Sequence, residues 1–168
     1  MSGAFDEGDR EAIVAHLLDH FEHPRNRGPL PGADVSQKGG NPGCGDILHI
    51  HLKVEDGGGA GGGAGNEPGA ERIAAIRFEG EGCTISQASA SILTEIVGGK
   101  PLDEVLAMAS GDLVDALGRE VVVARLKCAV LSLNTLKAAI EKYRQMKTRR
   151  ALGLDEPGMP EPSGPPWT

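Results

Sequence analysis

The sequence predicts an α+β fold, in which helices pack against a small sheet. Two segments, residues 47–55 and 73–79, alternate apolar and polar residues, as strands with one buried face do. After Cys83 and again after Cys128, apolar residues instead recur every three or four positions, which is typical of amphipathic helices. Such a combination favours a sheet that carries helices on one face.

The first predicted element is a helix near the start of the chain. Ile13, Leu17 and Phe21 recur every four residues, with Val14 and Leu18 beside them, as on one face of a helix. Asp9 is a candidate N-cap, and the proline that follows His23 is expected to end the helix.

Two strands are predicted next, at residues 47–55 and 73–79. Between them, residues 57–69 are rich in glycine and poor in apolar side chains, so we expect a flexible connection there. Alternate residues of each strand would point towards the core. The predicted inward residues are Leu48, Ile50, Leu52 and Val54 in the first strand, and Ala74, Ile76 and Phe78 in the second.

Helices are predicted for the rest of the chain. One follows Cys83 and is expected to end at the glycine pair 98–99. Two short helices are predicted over residues 102–108 and 112–117, and a long helix begins close to Cys128. The apolar stripes consist of Ile85, Ala88, Ile92 and Ile96 in the first of these helices, and of Ala129, Leu133, Leu136, Ile140 and Tyr143 in the last.

Length and composition predict a single domain over residues 1–150, which includes the glycine-rich insertion, and a disordered proline-rich tail over residues 151–168. The net charge of −7 and the aromatic content of 3% argue against a nucleic-acid binder, which needs cations and stacking surfaces. No stretch is apolar enough for a signal peptide or a membrane span. We therefore expect a cytoplasmic protein, whose thiols stay reduced.

Three cysteines are the most informative residues of the chain. Cys44 lies in a turn-like context between glycines, Cys83 lies between a strand pattern and a helix pattern, and Cys128 has apolar neighbours. Three thiols cannot all pair as disulfides within one chain, whereas three thiolates and the carboxylate of Asp46 make four ligands, as tetrahedral zinc requires. The alternative is that each cysteine is a small buried hydrophobe, and this alternative is strongest for Cys128.

The histidines offer weaker metal sites. His49 and His51 would lie together on the exposed face of a strand, and His16 and His20 are four residues apart on a helix. No glutamate of the metalloprotease pattern lies between the helical pair. We therefore expect these histidines to be polar surface residues, and His23 to shape the end of the helix.

Four short motifs, in order along the chain, resemble one protein family. They are HPRNRG at residues 23–28, NPGCGD at 41–46, GEGCTISQASAS at 80–91 and RLKCA at 125–129. From about residue 17 to about residue 143 the chain is similar to the SufU branch of the NifU N-terminal/IscU-like family of iron–sulfur cluster assembly proteins. Just before the third cysteine this chain has Lys127, as in the SufU-like zinc proteins, whereas the IscU-like scaffolds carry histidine at that position. The interval between Cys83 and Cys128, in contrast, resembles the shorter one of the IscU branch.

The resemblance implies a small antiparallel sheet of about three strands with helices packed on one face. It also implies that the three cysteines and Asp46 hold Zn²⁺, and that Cys44 accepts persulfide sulfur from a SufS-like cysteine desulfurase before downstream cluster assembly proteins receive it. Arg125 could stabilise the anionic sulfur or form a surface salt bridge. One alternative is a scaffold on which the same four residues hold a [2Fe–2S] cluster. The alternative from another class is a non-catalytic protein with a structural zinc site.

Overall fold

A computed structural model of the chain describes residues 10–43, 45–56 and 70–154. The described residues form one N-terminal helix, three strands and five further helices, and a 3-10 turn, Val123–Arg125, leads into the last helix. The elements are α1 Arg10–Glu22, β1 Val35–Asn41, β2 Asp46–Glu55, β3 Arg72–Glu81, α2 Thr84–Val97, α3 Leu102–Ala107, α4 Ser110–Ala116, α5 Arg119–Val122 and α6 Leu126–Ala151.

The sheet is antiparallel with strand order β1-β2-β3. Asn41 pairs with Asp46 across the turn between β1 and β2, and Ile47 pairs with Glu81 between β2 and β3. Helix α6 packs on β1 and β2, while α2 packs on β3. These contacts confirm the predicted α+β architecture of about three strands, with the buried side chains of the sheet facing the helices.

The inward face of β3 differs from the prediction. Lys53 pairs with Ala75 and Val54 pairs with Ile73, so that Ala74 is the extra residue of a β-bulge. A bulge adds one residue to one strand, so the alternation of inward and outward side chains changes phase across it. The prediction that Ala74 points inward was therefore wrong: Ala74 is exposed, and Ile73 is completely buried.

Strand β1 was not located from the sequence. Glycines at 39 and 40 weaken its strand pattern. The structure gives the reason for Gly39: a Cβ atom there would lie 1.9 Å from the Thr135 hydroxyl oxygen. Gly39 thus allows β1 to approach α6 more closely than any other residue would.

The central helix, α2, is buried on more faces than predicted. The expected stripe is only partly right, since Ile85 and Ile96 are half-buried. The serines between them are completely buried, and each is hydrogen-bonded to another element. For example, the Ser89 hydroxyl donates to the Ala129 carbonyl of α6 at 2.6 Å. The buried polar residues of α2 are Ser86, Gln87, Ser89, Ser91 and Thr94.

The last part of the chain follows the prediction closely. Helices α3 and α4 match the two short helices, and α6 begins two residues before Cys128. Helix α5 was not predicted. No helix within the described ranges is long and apolar enough to cross a bilayer. The glycine-rich segment, residues 57–69, the candidate cap Asp9 and most of the predicted tail lie outside the described residues, so those expectations stay predictions.

His20 contradicts the expectation that the histidines lie on the surface. Its side chain is 2% exposed, and its Nδ1 atom lies 2.7 Å from the Ser91 hydroxyl of α2. The same hydroxyl accepts the Arg25 amide at 2.8 Å. His20 therefore joins α1 to α2 and to the segment that follows α1. The Glu95 carboxylate is 3.7 Å from His20 Nε2, and the His16 ring contacts His20 edge-on at 4.6 Å.

We predict that this contact makes folding pH-dependent. Burial, and then the charges of Arg25 and His16, lower the pKa of His20 below 6.5, against the smaller opposite effects of Glu95 and Asp19. Below that pH, His20 binds a proton more readily in the unfolded chain than in the folded chain, so stability is lost as the pH falls. Urea unfolding at about pH 7.5 and about pH 5.5 measures this loss.

The matched variants are His20→Gln and His49→Gln; His49 is half-buried and lies on the central strand β2. His20→Gln should flatten the pH dependence, because glutamine does not titrate. His49→Gln should leave the dependence as in the wild type. Equal slopes for the wild type and His20→Gln would contradict the assignment.

Candidate metal site

Three of the four predicted ligands lie together. Asp46 opens β2, Cys83 is the residue before α2, and Cys128 lies in the first turn of α6. One ligand atom from each lies within 4.8 Å of the other two. Elsewhere in the described ranges, no other three histidine, cysteine or acidic side chains come this close. The structure thus brings together side chains that are far apart in the sequence.

Cys44, the fourth predicted ligand, lies outside the described residues. Its neighbours Gly43 and Gly45 lie in the turn between β1 and β2, directly before Asp46. Gly45 has a φ of +68°, which favours glycine. The assignment of Cys44 to the site stays a prediction.

The Asp46 carboxylate is buried, and hydrogen bonds fix one of its oxygens. Its Oδ1 atom accepts the backbone N–H of Cys83 at 2.8 Å and the hydroxyl of Ser86 at 3.3 Å. Its Oδ2 atom is also buried, and finds no hydrogen-bond partner among the described residues. A buried carboxylate oxygen without a partner costs free energy, and a bound cation would remove that cost. Oδ2 is therefore the atom available to a metal.

Gly82 is required for this arrangement. A Cβ atom at Gly82 would lie 2.4 Å from Asp46 Oδ1 and 2.6 Å from the Ser86 hydroxyl oxygen. Any side chain would push the carboxylate away from Cys83. The glycine before the second cysteine therefore has a packing role in the site.

Cys83 is half-buried at the start of α2. Its backbone is extended, and its thiol donates to the Ser86 hydroxyl at 3.7 Å. Cys128 is 1% exposed, which fits the alternative of a small buried hydrophobe. Its position beside Asp46 and Cys83 is also the one that a shared metal site requires.

The two cations near Cys128 lie at the surface. Arg125 and Lys127 are both exposed, on either side of the start of α6. No ion pair of the Arg125 guanidinium is seen within the described part of the chain, where a surface salt bridge was the alternative role. Its role towards an anionic sulfur stays a prediction.

The histidine pair on the sheet serves another purpose. His51 Nδ1 is 2.7 Å from the Ser36 hydroxyl on β1, and its Nε2 is 2.9 Å from the Glu79 carboxylate on β3. These contacts join the three strands on the face that points away from the helices. The structure does not gather His49 and His51 with a third ligand among the described residues.

The donor atoms fit the groups that the resemblance implies. Bonds of about 2.3 Å from zinc to sulfur and about 2.0 Å to oxygen place neighbouring ligands roughly 3.5 to 4 Å apart. Atoms within 4.8 Å of each other need only a small shift to reach that spacing. Thiolates also suit iron–sulfur clusters. By ligand type, these donor atoms suit either zinc or cluster iron.

Comparison with known proteins supports the resemblance. Residues 13–150 match the family described as the NifU-like N-terminal domain. The chain belongs to this family. Among NifU-like relatives, the iron-sulfur cluster assembly scaffold protein IscU of Escherichia coli K12 is 34% identical over 139 residues, which cover 81% of this chain and 97% of the relative.

Two further relatives agree. The protein named iron-sulfur cluster assembly scaffold protein IscU 1 of Archaeoglobus fulgidus is 33% identical to this NifU-like chain over 144 residues, with 83% and 84% of the two chains covered. The crystal structure of a nitrogen-fixing NifU-like protein (N-terminal) from Brucella abortus has a TM-score of 0.62 at 20% identity, and covers 77% and 92%. The last comparison shows the shared fold.

We predict that metal binding stabilises this NifU-like domain. An ion held by Asp46, Cys83 and Cys128 would tie three separate elements together, and would add about 2.7 kcal/mol at a hundredfold excess over Kd. Thermal unfolding with and without added Zn²⁺ measures the effect. Asp46→Asn should reduce the zinc-induced shift strongly, while the exposed control Asp115→Asn should keep it. A first coordination shell without sulfur in X-ray absorption would contradict the assignment.

Proposed function

We propose that the chain is an iron–sulfur cluster assembly protein, and that Cys44, Asp46, Cys83 and Cys128 hold its metal and sulfur. The convergence of Asp46, Cys83 and Cys128 from three elements carries this proposal. Two relatives at 33% and 34% identity are named as iron-sulfur cluster assembly scaffold proteins, which supports it.

In the scaffold function, a [2Fe–2S] cluster is the cargo. Thiolates are the usual ligands of such clusters, and a carboxylate is a weaker ligand for cluster iron. Asp46 offers a single oxygen, Oδ2, because hydrogen bonds occupy Oδ1. One weak ligand among three thiolates suits a protein that must release its cluster.

A second function, zinc-bound sulfur acceptor, is favoured by Lys127. Lys127 directly precedes Cys128 and is exposed, and an ammonium group cannot ligate iron. Bound zinc would keep the ligand thiols deprotonated. The Cys44 thiolate would then attack the outer sulfur of a persulfide on a SufS-like cysteine desulfurase. A new S–S bond forms on Cys44, the old S–S bond breaks, and the desulfurase cysteine leaves as a thiolate.

Both functions require the same partners. A cysteine desulfurase supplies the sulfur, and downstream cluster assembly proteins receive the sulfur or the cluster. Metal analysis of protein purified without oxygen separates the two functions. Iron and acid-labile sulfide in a coloured protein support the scaffold, whereas one zinc ion per colourless chain supports the sulfur acceptor.

We predict that Cys44→Ala abolishes both stimulation of a cognate cysteine desulfurase and the appearance of a persulfide on this protein. The reason is that alanine has no nucleophilic sulfur. Desulfurase activity and mass spectrometry of the intact protein measure the two effects. The control is the folded state and zinc content of the variant, because loss of one ligand also weakens metal binding.

A purely structural zinc site gives a different result. There, Cys44→Ala would act only through loss of metal or unfolding. A folded, zinc-containing Cys44→Ala protein that still stimulates the desulfurase would eliminate the sulfur-acceptor function.

We also predict that Lys127→His increases retention of a reconstituted cluster. Imidazole ligates cluster iron, whereas the lysine side chain does not. The half-life of the visible absorption after anaerobic reconstitution measures retention, with Lys137→His, remote from Cys128 along α6, as a control. An unchanged half-life would show that Lys127 does not decide between the two functions.

A further inference from the structure

Ser86 contacts two of the candidate ligands at once. It lies in the first turn of α2 and is completely buried. Its hydroxyl donates to Asp46 Oδ1 at 3.3 Å and to the Cys83 carbonyl at 3.0 Å, and it accepts the Cys83 thiol proton at 3.7 Å. Since the hydroxyl has a single proton, the two acceptors share it.

The neighbouring serines of α2 have other partners. Ser89, also completely buried, bonds to the Ala129 carbonyl at 2.6 Å and to the Ser132 hydroxyl at 2.9 Å. Ser91 bonds to His20 and to the Arg25 amide. These two serines hold α2 against α6 and α1. Of the three, Ser86 alone is bonded to residues of the candidate metal site.

The contacts of Ser86 determine how Asp46 presents its carboxylate. Oδ1 has two hydrogen-bond donors, the Cys83 amide and the Ser86 hydroxyl. Oδ2, on the same buried group, has none within the part of the chain described. Two donors on one oxygen oppose rotation of the carboxylate, so that the same oxygen always faces the ligand position.

Packing at Gly82 provides independent support. The position of a Cβ atom there is blocked by Asp46 Oδ1 at 2.4 Å and by the Ser86 hydroxyl oxygen at 2.6 Å. The hydroxyl and the carboxylate therefore meet in a space that the glycine leaves open. The contact between Ser86 and Asp46 therefore depends on a glycine at position 82, directly before Cys83.

We propose that Ser86 is a positioning residue of the metal site, which fixes Asp46 as a one-oxygen ligand and holds Cys83 beside it. This inference rests on the proposed function, because it assigns Ser86 a role towards the metal or cluster. Groups of this kind orient the ligands of a metal, and their loss typically weakens metal binding by about 10-fold to 100-fold.

The test uses Co²⁺ as the probe, since its thiolate complexes absorb visibly and in the near ultraviolet. Affinity is measured by competition with a chelator for the wild type, Ser86→Ala and the matched control Ser89→Ala. Ser86→Ala should bind Co²⁺ about 10-fold to 100-fold more weakly. Ser89→Ala removes an equally buried hydroxyl from the same helix, and should bind as the wild type does. Urea unfolding of the metal-free proteins shows that both variants are folded.

A double-mutant cycle with Asp46→Asn tests the route of the effect. If Ser86 acts through the Asp46 carboxylate, Ser86→Ala should weaken Co²⁺ binding much less in the Asp46→Asn background. Fully additive effects, equal losses in Ser86→Ala and Ser89→Ala, or wild-type affinity in a folded Ser86→Ala protein would each overturn the inference.

The wild-type spectrum separates this inference from the proposed function. No thiolate-to-cobalt absorption in the wild type would overturn the proposed function, and the role of Ser86 with it. Normal absorption in the wild type with an unaffected Ser86→Ala would overturn the role of Ser86 alone.

Discussion

The hydroxyl groups buried along α2 hold the layers of this protein in place. Ser86 bonds to Asp46 at the start of β2, Ser89 bonds to α6, and Ser91 bonds to His20 of α1. Because a buried hydroxyl without a partner is costly, each bond specifies one position of the neighbouring element. Apolar packing alone would allow these layers to slide. The helix that carries the hydroxyls begins directly after Cys83, so the helix that orders the fold also carries, in its first turn, the serine that contacts the candidate metal site.

Polar atoms without partners are concentrated near this site. Besides Asp46 Oδ2, the described residues include a buried Asn41 Nδ2 atom, opposite Asp46 in the sheet, and both amide atoms of Gln87, one turn beyond Cys83, without hydrogen bonds. Such groups reduce stability, and proteins retain them where a site needs them. Further along α2, the buried hydroxyls of Ser89 and Ser91 are hydrogen-bonded, whereas buried atoms without partners within the described ranges lie at its first turn and beside it. That contrast distinguishes the end of α2 at the candidate site from the rest of the helix.

The sequence predicted the parts that depend on local pattern. The alternation in β2, the helical periods of α1 and α6, the position of Cys83 between a strand and a helix, and that of Cys128 near a helix start needed no knowledge of neighbours. Other features depend on contacts between distant residues. The bulge that exposes Ala74 is a property of the pairing with β2, and β1 is a strand because Gly39 fits against Thr135. Histidine is a polar residue in hydropathy scales, and the burial of His20 goes with its contact to Ser91, which is 71 positions away in the sequence. Ser86 was recognised only as part of a motif, since its bond to Asp46 spans forty positions.

The distribution of ligands along the chain has a consequence for biosynthesis. Asp46, Cys83 and Cys128 come from the first, second and last thirds of the sequence, and meet only when α6 has docked on the sheet. A growing chain on the ribosome has the first two side chains long before the third emerges. During that interval Cys128 is missing from the proposed ligand set of Cys44, Asp46, Cys83 and Cys128. Under the proposed function, loading with metal or sulfur would therefore follow completion of the fold.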